Sequence, residues 1–331
     1  MSEYKVKQLN PSHADHISGY NEKFLDMLFT TEPVIAQPKY DGERMLIHIN
    51  HGEVYCTSRR FSKKTNRYME NQDKLTILQD ICKNLDLDYT VLDCECYAKD
   101  WSTIVGILHS LPERAAELQK QDTARFSVFD CLFYNGKDMR DEPYYRRLNY
   151  ANQVVNMINY EPLHLVKFMN EQHQPTSDIS EACTINSKSD WQDCMENAVK
   201  AGFEGIVIKS TLKHYYDKAA LLKCKKFETV DCVIIDFQQG RGKYENTIGA
   251  LIVGYYDKDN DKFVRVANVN CGTDTERDEV NNNRDKYLHS VVEVKCQEIT
   301  GKSLRHPVFV RFRDDKDYTM CTKDTIFKEG E

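Results

Sequence analysis

Short apolar runs with the character of β-strands recur along this chain, and they do not alternate regularly with helical segments. The clearest runs are Val91-Leu92, 126–129, 206–208 and 230–237. Apolar residues recur at helical spacing within 75–85 and within 191–199. Strands and helices that mix without a βαβ rhythm favour an α+β domain, with antiparallel sheets and flanking helices, over a doubly wound parallel sheet.

A boundary near residue 228 separates a second, smaller region of short strand-like runs. These runs are 233–235, 250–255, 263–266, 291–294 and 308–310. A polar stretch from Thr273 to Lys286 is predicted to be helical. Five short strands with one intervening helix are typical of a small barrel of the OB type. We therefore expect a first domain at 1–228 and an OB-fold domain at 229–331.

One lysine stands beside a predicted turn near the N-terminus. Apolar residues at 33–36 and 45–47 flank Asp41-Gly42, which predicts a hairpin of two strands joined by a tight turn. Lys39 would lie at the end of the first strand. Taken alone, this segment is more typical of a surface hairpin with an ordinary solvated lysine.

Composition and charge exclude several classes of protein. No apolar run approaches the roughly 20 residues that span a bilayer, and the N-terminus lacks a signal peptide's apolar segment, so we expect an intracellular, cytoplasmic protein. The net charge of -7 argues against a protein that coats nucleic acid over its whole surface. The 12 cysteines include no C-x-x-C pair, which favours reduced, buried thiols over a zinc site.

The order of short motifs along the chain is more specific than any one of them. The motifs are 37–44, Ser58-Arg59, 92–95, Phe129-Asp130, 204–209, 222–225 and 311–316. This succession resembles the motif series of the covalent nucleotidyltransferases, the superfamily of ATP-dependent DNA ligases, RNA ligases and mRNA capping enzymes. The resemblance runs from Lys39 to Lys316 and implies that 1–228 is a nucleotidyltransferase (adenylation) domain.

The resemblance implies that Lys39 is a covalent nucleophile that becomes bonded to AMP. Lysine attacks phosphorus only as the neutral amine, which neighbouring cations or a bound metal favour. The residues expected to bind ATP are Gln37, Lys39, Arg44, Arg59, Glu95, Phe129, Lys223, Lys225, Arg313 and Lys316. Glu95 and Glu204 are expected at the sugar hydroxyls and at Mg²⁺ or another divalent cation, although Cys94 stands where the family usually has glycine.

Individual roles also follow from the resemblance. Arg44 would hold the ribose, Arg59 the 5'-phosphate of the second substrate, and Phe129 would stack on adenine, although a core aromatic is an equal alternative for Phe129. Arg313 and Lys316 would orient the leaving pyrophosphate. The second domain would then close over ATP and rotate away before a polynucleotide binds, about a hinge near residue 228.

The segment 303–316 resembles the ending of ATP-dependent DNA ligases, most of all the compact ligases of T7-type bacteriophages. We therefore expect a monomer that seals nicked duplex DNA. The residues expected to contact DNA are Arg59, Arg60, Lys63, Lys64, Lys226, Arg305 and Arg311. An RNA ligase, a GTP-dependent capping guanylyltransferase and a non-catalytic nick- or nucleotide-binding module are the alternatives.

Overall fold

The computed structural model describes residues 8–17, 20–300 and 302–327. The chain divides into two compact units, Met1–Lys225 and Lys226–Glu331, and each has a hydrophobic core of its own. Residues 1–5, on which the expectation about a signal peptide rests, lie outside the described residues. No helix among the described residues is long and apolar enough to cross a membrane.

The described part of the first unit contains fourteen strands and six helices. The strands are β1 (Asp15–His16), β2 (Val34–Lys39), β3 (Glu43–Asn50), β4 (Glu53–Ser62), β5 (Arg67–Glu70), β6 (Thr90–Tyr97), β7 (Arg125–Tyr134), β8 (Lys137–Asp138), β9 (Leu163–Leu165), β10 (Phe168–Met169), β11 (Pro175–Thr176), β12 (Thr184–Ile185), β13 (Gly205–Ser210) and β14 (Leu221–Lys225). The helices are α1 (Glu22–Thr31), α2 (Ile77–Cys82), α3 (Trp101–His109), α4 (Pro112–Gln121), α5 (Tyr144–Ile158) and α6 (Lys188–Lys200).

Two mixed sheets organise this unit. The larger has the order β5-β4-β3-β6-β7-β8, with β9 added parallel to β7. The smaller has the order β1-β14-β13-β2-β12. Most pairs are antiparallel, so the prediction of an α+β domain rather than a parallel doubly wound one is confirmed. Helix α6 also confirms the helical pattern at 191–199, whereas the pattern at 75–85 is helical only over α2.

The predicted hairpin around Asp41-Gly42 is wrong. Strand β2 pairs with β13 and β12, whereas β3 pairs with β4 and β6, so the two consecutive strands belong to different sheets. The connection crosses closely over β6, where a Cβ on residue 42 would collide with the carbonyl oxygen of Cys96. Glycine at position 42 therefore permits a close approach between chain segments rather than a hairpin turn.

The second unit is built on one antiparallel sheet. Its strands are β15 (Glu228–Gln239), β16 (Ile248–Asp257), β17 (Lys262–Val269), β18 (Val291–Cys296), β19 (Glu298–Thr300), β20 (Ser303–Arg305) and β21 (Val308–Phe312). Its helices are α7 (Asp274–Asn282), α8 (Arg284–Tyr287) and α9 (Lys323–Ile326). The five predicted strands form the sheet β17-β16-β15-β18-β21, and irregularities in the β15–β16 register mark the bulges that bend such sheets.

The cysteines are free of disulfides, and all except Cys183 are buried, which confirms the burial expected of these thiols. Among the described residues, no group of three or more histidine, cysteine, aspartate or glutamate side chains is arranged to hold a metal ion.

Candidate active site

Lys39 is the last residue of β2, inside the smaller sheet. Alternation along the strands puts Val34 and Ala36 in the core on one face of this sheet, so Gln37 and Lys39 lie on the opposite face. Lys39 Nζ is 2.5 Å from Glu204 Oε2, and its side chain is 21% exposed. The fold therefore places Lys39, which is partly accessible, in direct contact with Glu204, a second predicted site residue.

Glu204 is held at the start of β13 by both backbone and side chain. Its N–H donates to the Lys39 carbonyl at 3.0 Å, and its carboxylate accepts hydrogen bonds from both Lys39 and Lys225. Burial acts to raise the pKa of Glu204, but the two lysines outweigh it, and the pKa is lowered. The next residue must be glycine, because a Cβ at Gly205 would collide with the carbonyl oxygen of Cys224 on β14.

Strand β14 supplies the other two lysines of the site. Leu222 and Cys224 belong to the core, so Lys223 and Lys225 project from the face that carries Lys39. Lys225 contacts Glu204 through the oxygen that Lys39 does not use. One carboxylate thus bridges two lysine side chains that lie on the same face of the sheet.

Arg44 lies on β3 of the larger sheet and forms a two-pronged ion pair with Asp93 on β6. Arg44 Nε is 2.9 Å from Asp93 Oδ1, and Arg44 NH2 is 2.5 Å from Asp93 Oδ2. The Asp93 side chain is 0% exposed and that of Arg44 14%. Burial opposes the charged guanidinium, but Asp93 outweighs it and raises the pKa of Arg44 above its ordinary value.

Glu95 lies directly opposite Arg44 in the register between β3 and β6. Burial raises the pKa of Glu95 to about 7, against the lowering effect of Lys39 and Arg44, and the carboxylate of Glu204 also raises it. A nearby cation would favour the ionised form of a carboxyl group with this pKa. Glu95 and Glu204 are thus close enough to influence each other electrostatically.

A buried network joins Gln37 to Phe129. Gln37 Nε2 donates to the Tyr144 hydroxyl at 2.9 Å, and that hydroxyl donates to the Phe129 carbonyl at 2.9 Å. Lys209 Nζ donates to the same two oxygens and lies 4.5 Å from the centroid of the Phe129 ring. Burial lowers the pKa of Lys209 to about 7. The Phe129 ring is half-buried, and Arg44 lies 5.3 Å from its centroid.

The basic residues expected to contact DNA in the first unit are exposed. Arg59 and Arg60 are exposed near the end of β4, and Lys63 and Lys64 are exposed in the turn before β5. Arg60 also lies 3.8 Å from Glu43, whose other oxygen is 3.0 Å from His109.

In the second unit, the predicted cations are paired with acidic residues of the same unit. Arg313 NH1 is 3.0 Å from Asp231 Oδ1, and Lys316 contacts Asp231 as well. Arg311 is 2.8 Å from Glu293. Arg305 is 3.3 Å from Glu298, and Lys226 is exposed.

Several residues in these networks were missed by sequence reasoning. Asp93 lies inside one of the motifs, but the resemblance implied no role for it. Lys209 ends the motif 204–209, but the resemblance implied no role for it. Tyr144, Asp231 and Tyr215, whose hydroxyl donates to Asp93, gave no signal in the sequence, because their partners are distant in the chain.

These features define a protein class. The family model described as the ATP dependent DNA ligase domain matches residues 12–225, and the chain belongs to this family. Among its relatives, the DNA ligase of Sulfolobus acidocaldarius is 26% identical, with 87% of this chain and 54% of that protein covered. The Variola virus DNA ligase is 26% identical over 78% of this chain and 44% of its own. The chain spans about half the length of the curated relatives it matches.

Solved structures agree in fold. A chain named Pmar-Lig_PreS3 has a TM-score of 0.69 and 18% identity, and the match covers 94% of this chain and 69% of that one. A structure of Lig E DNA ligases has a TM-score of 0.64 and 17% identity, with coverage of 92% and 99%. At these identities the likeness concerns the fold.

Proposed function

We propose that the protein is an ATP-dependent DNA ligase that seals nicks in duplex DNA through a covalent lysyl-AMP intermediate. The observation that carries this proposal is the contact of Lys39 with Glu204, which also binds Lys225, within the segment that matches the ligase domain family. Such an arrangement is not expected around an ordinary solvated lysine. It suits a lysine that reacts with a polyphosphate, because the neighbouring Lys225 attracts the negatively charged substrate.

In the first step, Nζ of Lys39 attacks the α-phosphorus of ATP. A P–N bond forms, the bond from that phosphorus to the bridging oxygen breaks, and pyrophosphate leaves with the electron pair. The ammonium loses one proton to solvent before attack, and the nitrogen loses a second as the P–N bond forms. Glu204, 2.5 Å away, is the nearest acceptor for this second proton. Lys225 holds the other oxygen of Glu204, so the carboxylate stays in place while Lys39 changes charge.

In the second step, an oxygen of the 5'-phosphate at the nick attacks the phosphorus of lysyl-AMP, the P–N bond breaks, and Lys39 leaves as the amine after its nitrogen takes up a proton from solvent. In the third, the 3'-hydroxyl attacks the 5'-phosphorus, AMP leaves, and a phosphodiester bond joins the strands. Most of this catalysis consists of alignment and charge neutralisation.

The remaining residues of the first unit would position the nucleotide. Arg44 would hold the ribose, and Phe129, whose backbone carbonyl accepts a hydrogen bond from Tyr144 in the Gln37–Tyr144 network, would stack on the base. Lys223 shares a sheet face with Lys39 and would neutralise phosphate charge. Arg59, exposed on β4, would take the 5'-phosphate.

A divalent cation fits this donor set. Glu95 and Glu204 supply two hard carboxylate oxygens, and the raised pKa of Glu95 indicates a carboxyl group without full charge compensation. Magnesium commonly completes such a shell with water and substrate phosphates. When bound, it would neutralise developing charge on the phosphates.

We also propose that residues 1–228 form the nucleotidyltransferase domain and 229–331 an OB-fold domain. The antiparallel five-stranded sheet of the second unit supports this assignment. Arg313 and Lys316 would release Asp231 and bind the leaving pyrophosphate instead. The domains would move about a hinge near residue 228. The protein would act as an intracellular monomer.

Duplex DNA would be bound mainly through its phosphates, with little preference for sequence. The basic residues proposed for this contact are Arg59, Arg60, Lys63, Lys64, Lys226, Arg305 and Arg311. The exposure of those on β4 and in the turn that follows it supports the assignment, because a phosphate contact needs an accessible cation.

The proposal is tested by charging the protein with α-labelled ATP or GTP and then adding nicked duplex DNA. Label that comes from ATP and leaves the protein as the nick closes is expected for the wild type and for the control Lys120→Ala, whose residue is exposed on α4. Lys39→Ala should take up no label. Labelling by GTP alone would indicate a capping enzyme, and discharge only onto nicked RNA an RNA ligase. An unlabelled, folded wild type would indicate a binding module.

A further inference from the structure

The hydroxyl group of Tyr215 lies at the centre of a buried network behind the proposed nucleotide site. Tyr215 is in the segment between β13 and β14 and is 4% exposed. Its hydroxyl donates to Asp93 Oδ2 at 2.5 Å and accepts from Arg44 NH2 at 3.0 Å and from the Ser12 backbone N–H at 3.2 Å. A phenol has one donor and two acceptor positions, so these three contacts use it completely.

The same contacts leave Arg44 little freedom. Of its five N–H groups, Nε–H and one on NH2 go to Asp93, the second on NH2 is shared by the hydroxyls of Tyr215 and Ser12, and one on NH1 goes to the Ser12 carbonyl. Among the described residues, one N–H of NH1 is left for a ligand. Asp93 fixes the plane of the guanidinium, whereas Tyr215 and Ser12 hold its other edge. Together they set the direction in which this last N–H points.

Ser12 belongs to a segment that runs beside two parts of the site. A few residues after Ser12, β1 pairs in parallel with β14, where His16 lies opposite Lys223. Tyr215 is therefore a side chain that contacts this N-terminal segment, Arg44 and Asp93 at once. The neighbouring Tyr216 also anchors the segment, through the Asn10 carbonyl at 2.8 Å, but it does not reach Arg44 or Asp93.

We infer that Tyr215 is a positioning residue of the nucleotide site, which aims the one available N–H of Arg44 at the bound nucleotide and links that aim to the N-terminal segment. This rests on the proposed function, in which Arg44 holds the ribose. Replacing the hydroxyl by hydrogen leaves an N–H of Arg44, the N–H of Ser12 and an oxygen of Asp93 without this partner in a buried place, and the guanidinium turns to compensate.

The experiment compares Tyr215→Phe with the matched control Tyr216→Phe in self-adenylylation, with ATP varied. Tyr215→Phe is expected to raise KM for ATP about tenfold, as loss of a hydrogen bond to a charged group does, with a smaller change in kcat. Tyr216→Phe should leave KM unchanged, because its hydroxyl bonds the Asn10 carbonyl and Arg140 outside the Arg44 network. Loss of folded protein alone would lower kcat per total protein and leave KM as it was.

A milder variant keeps the test decisive if Tyr215→Phe folds poorly. Ser12→Ala removes only the hydroxyl 3.4 Å from Arg44 NH2 and should raise KM about twofold. In an Arg44→Ala background, Tyr215→Phe should add nothing further to KM, because its effect passes through Arg44.

Equal KM values for Tyr215→Phe, Ser12→Ala and wild type would overturn the inference while leaving the proposed function intact, and so would full additivity with Arg44→Ala. A wild type that takes up no label from ATP would overturn the proposed function, and the inference with it.

Discussion

Replacing Asp93 with alanine is expected to destabilise the first unit strongly. The change removes the two-pronged partner of Arg44, whose side chain is only 14% exposed, and leaves its charge uncompensated. Removing one partner of a buried ion pair costs about 3–5 kcal/mol. For a unit of this size, that lowers the midpoint of thermal unfolding by roughly 6–20 °C.

The decisive comparison is the double variant Arg44→Met/Asp93→Leu. Replacing both buried charges with apolar side chains is often neutral or stabilising. Because the Tyr215 hydroxyl loses two of its three partners, which costs about 1–3 kcal/mol, we expect recovery of at least half of the lost stability rather than all of it. The double variant should therefore fold but use ATP poorly, since the nucleotide no longer binds to Arg44.

Thermal unfolding followed by circular dichroism, with self-adenylylation measured on the same samples, separates these effects. A loss below about 1 kcal/mol for Asp93→Ala would show that the pair is effectively solvated, as exposed pairs are. A double variant no more stable than the single one, or one that charges at the wild-type KM, would also refute the reasoning.

Three other perturbations test separate parts of the structure. Gly205→Ala should abolish self-adenylylation and destabilise the first unit, because its Cβ would collide with the carbonyl oxygen of Cys224, and normal activity would contradict the assigned backbone. Burial lowers the pKa of Lys209 to about 7, below its value of about 10.4 in the unfolded chain. Between these two pH values the unfolded state binds more protons than the folded state. The free energy of unfolding should therefore rise with pH in this range, by at most about 1.4 kcal/mol per pH unit. Denaturant titrations at several pH values should show a flatter rise for Lys209→Met, and an unchanged slope would contradict that origin. Binding of nicked duplex should weaken steeply with salt. The double variant Lys63→Ala/Lys64→Ala should reduce the slope of log binding constant against log salt concentration by about 0.9 for each phosphate that these lysines neutralise. An unchanged slope would exclude both lysines from contact with phosphates.

The sequence predicts local strand structure well, because alternation along one strand depends only on residues that are adjacent in the chain. Lys39 ends a strand, and Lys223 and Lys225 share one face of β14, as simple alternation requires. The five strands of the second unit are also recovered, because each has its own apolar run bounded by turn residues.

Pairing between distant segments is where sequence reasoning fails. The apolar runs at β2 and β3 allow a hairpin, but the chain passes into a second sheet, since β2 is buried against β13 instead. The partners of Asp93 and Tyr215 depend on that arrangement, and the two residues that meet there are separated by 122 positions in the chain. A local pattern carries no signal for such a pair, because loop closure and pairing across sheets decide it.

Lys39 should carry AMP in the charged protein, and mass spectrometry tests this central claim most directly. The intact protein is incubated with ATP and magnesium, digested, and searched for an AMP-modified peptide. We predict AMP on Lys39, its absence in Lys39→Ala, and its loss from the wild type when nicked duplex is added. AMP on another lysine, such as Lys209 or Lys225, or no modification of the folded wild type, would contradict the claim.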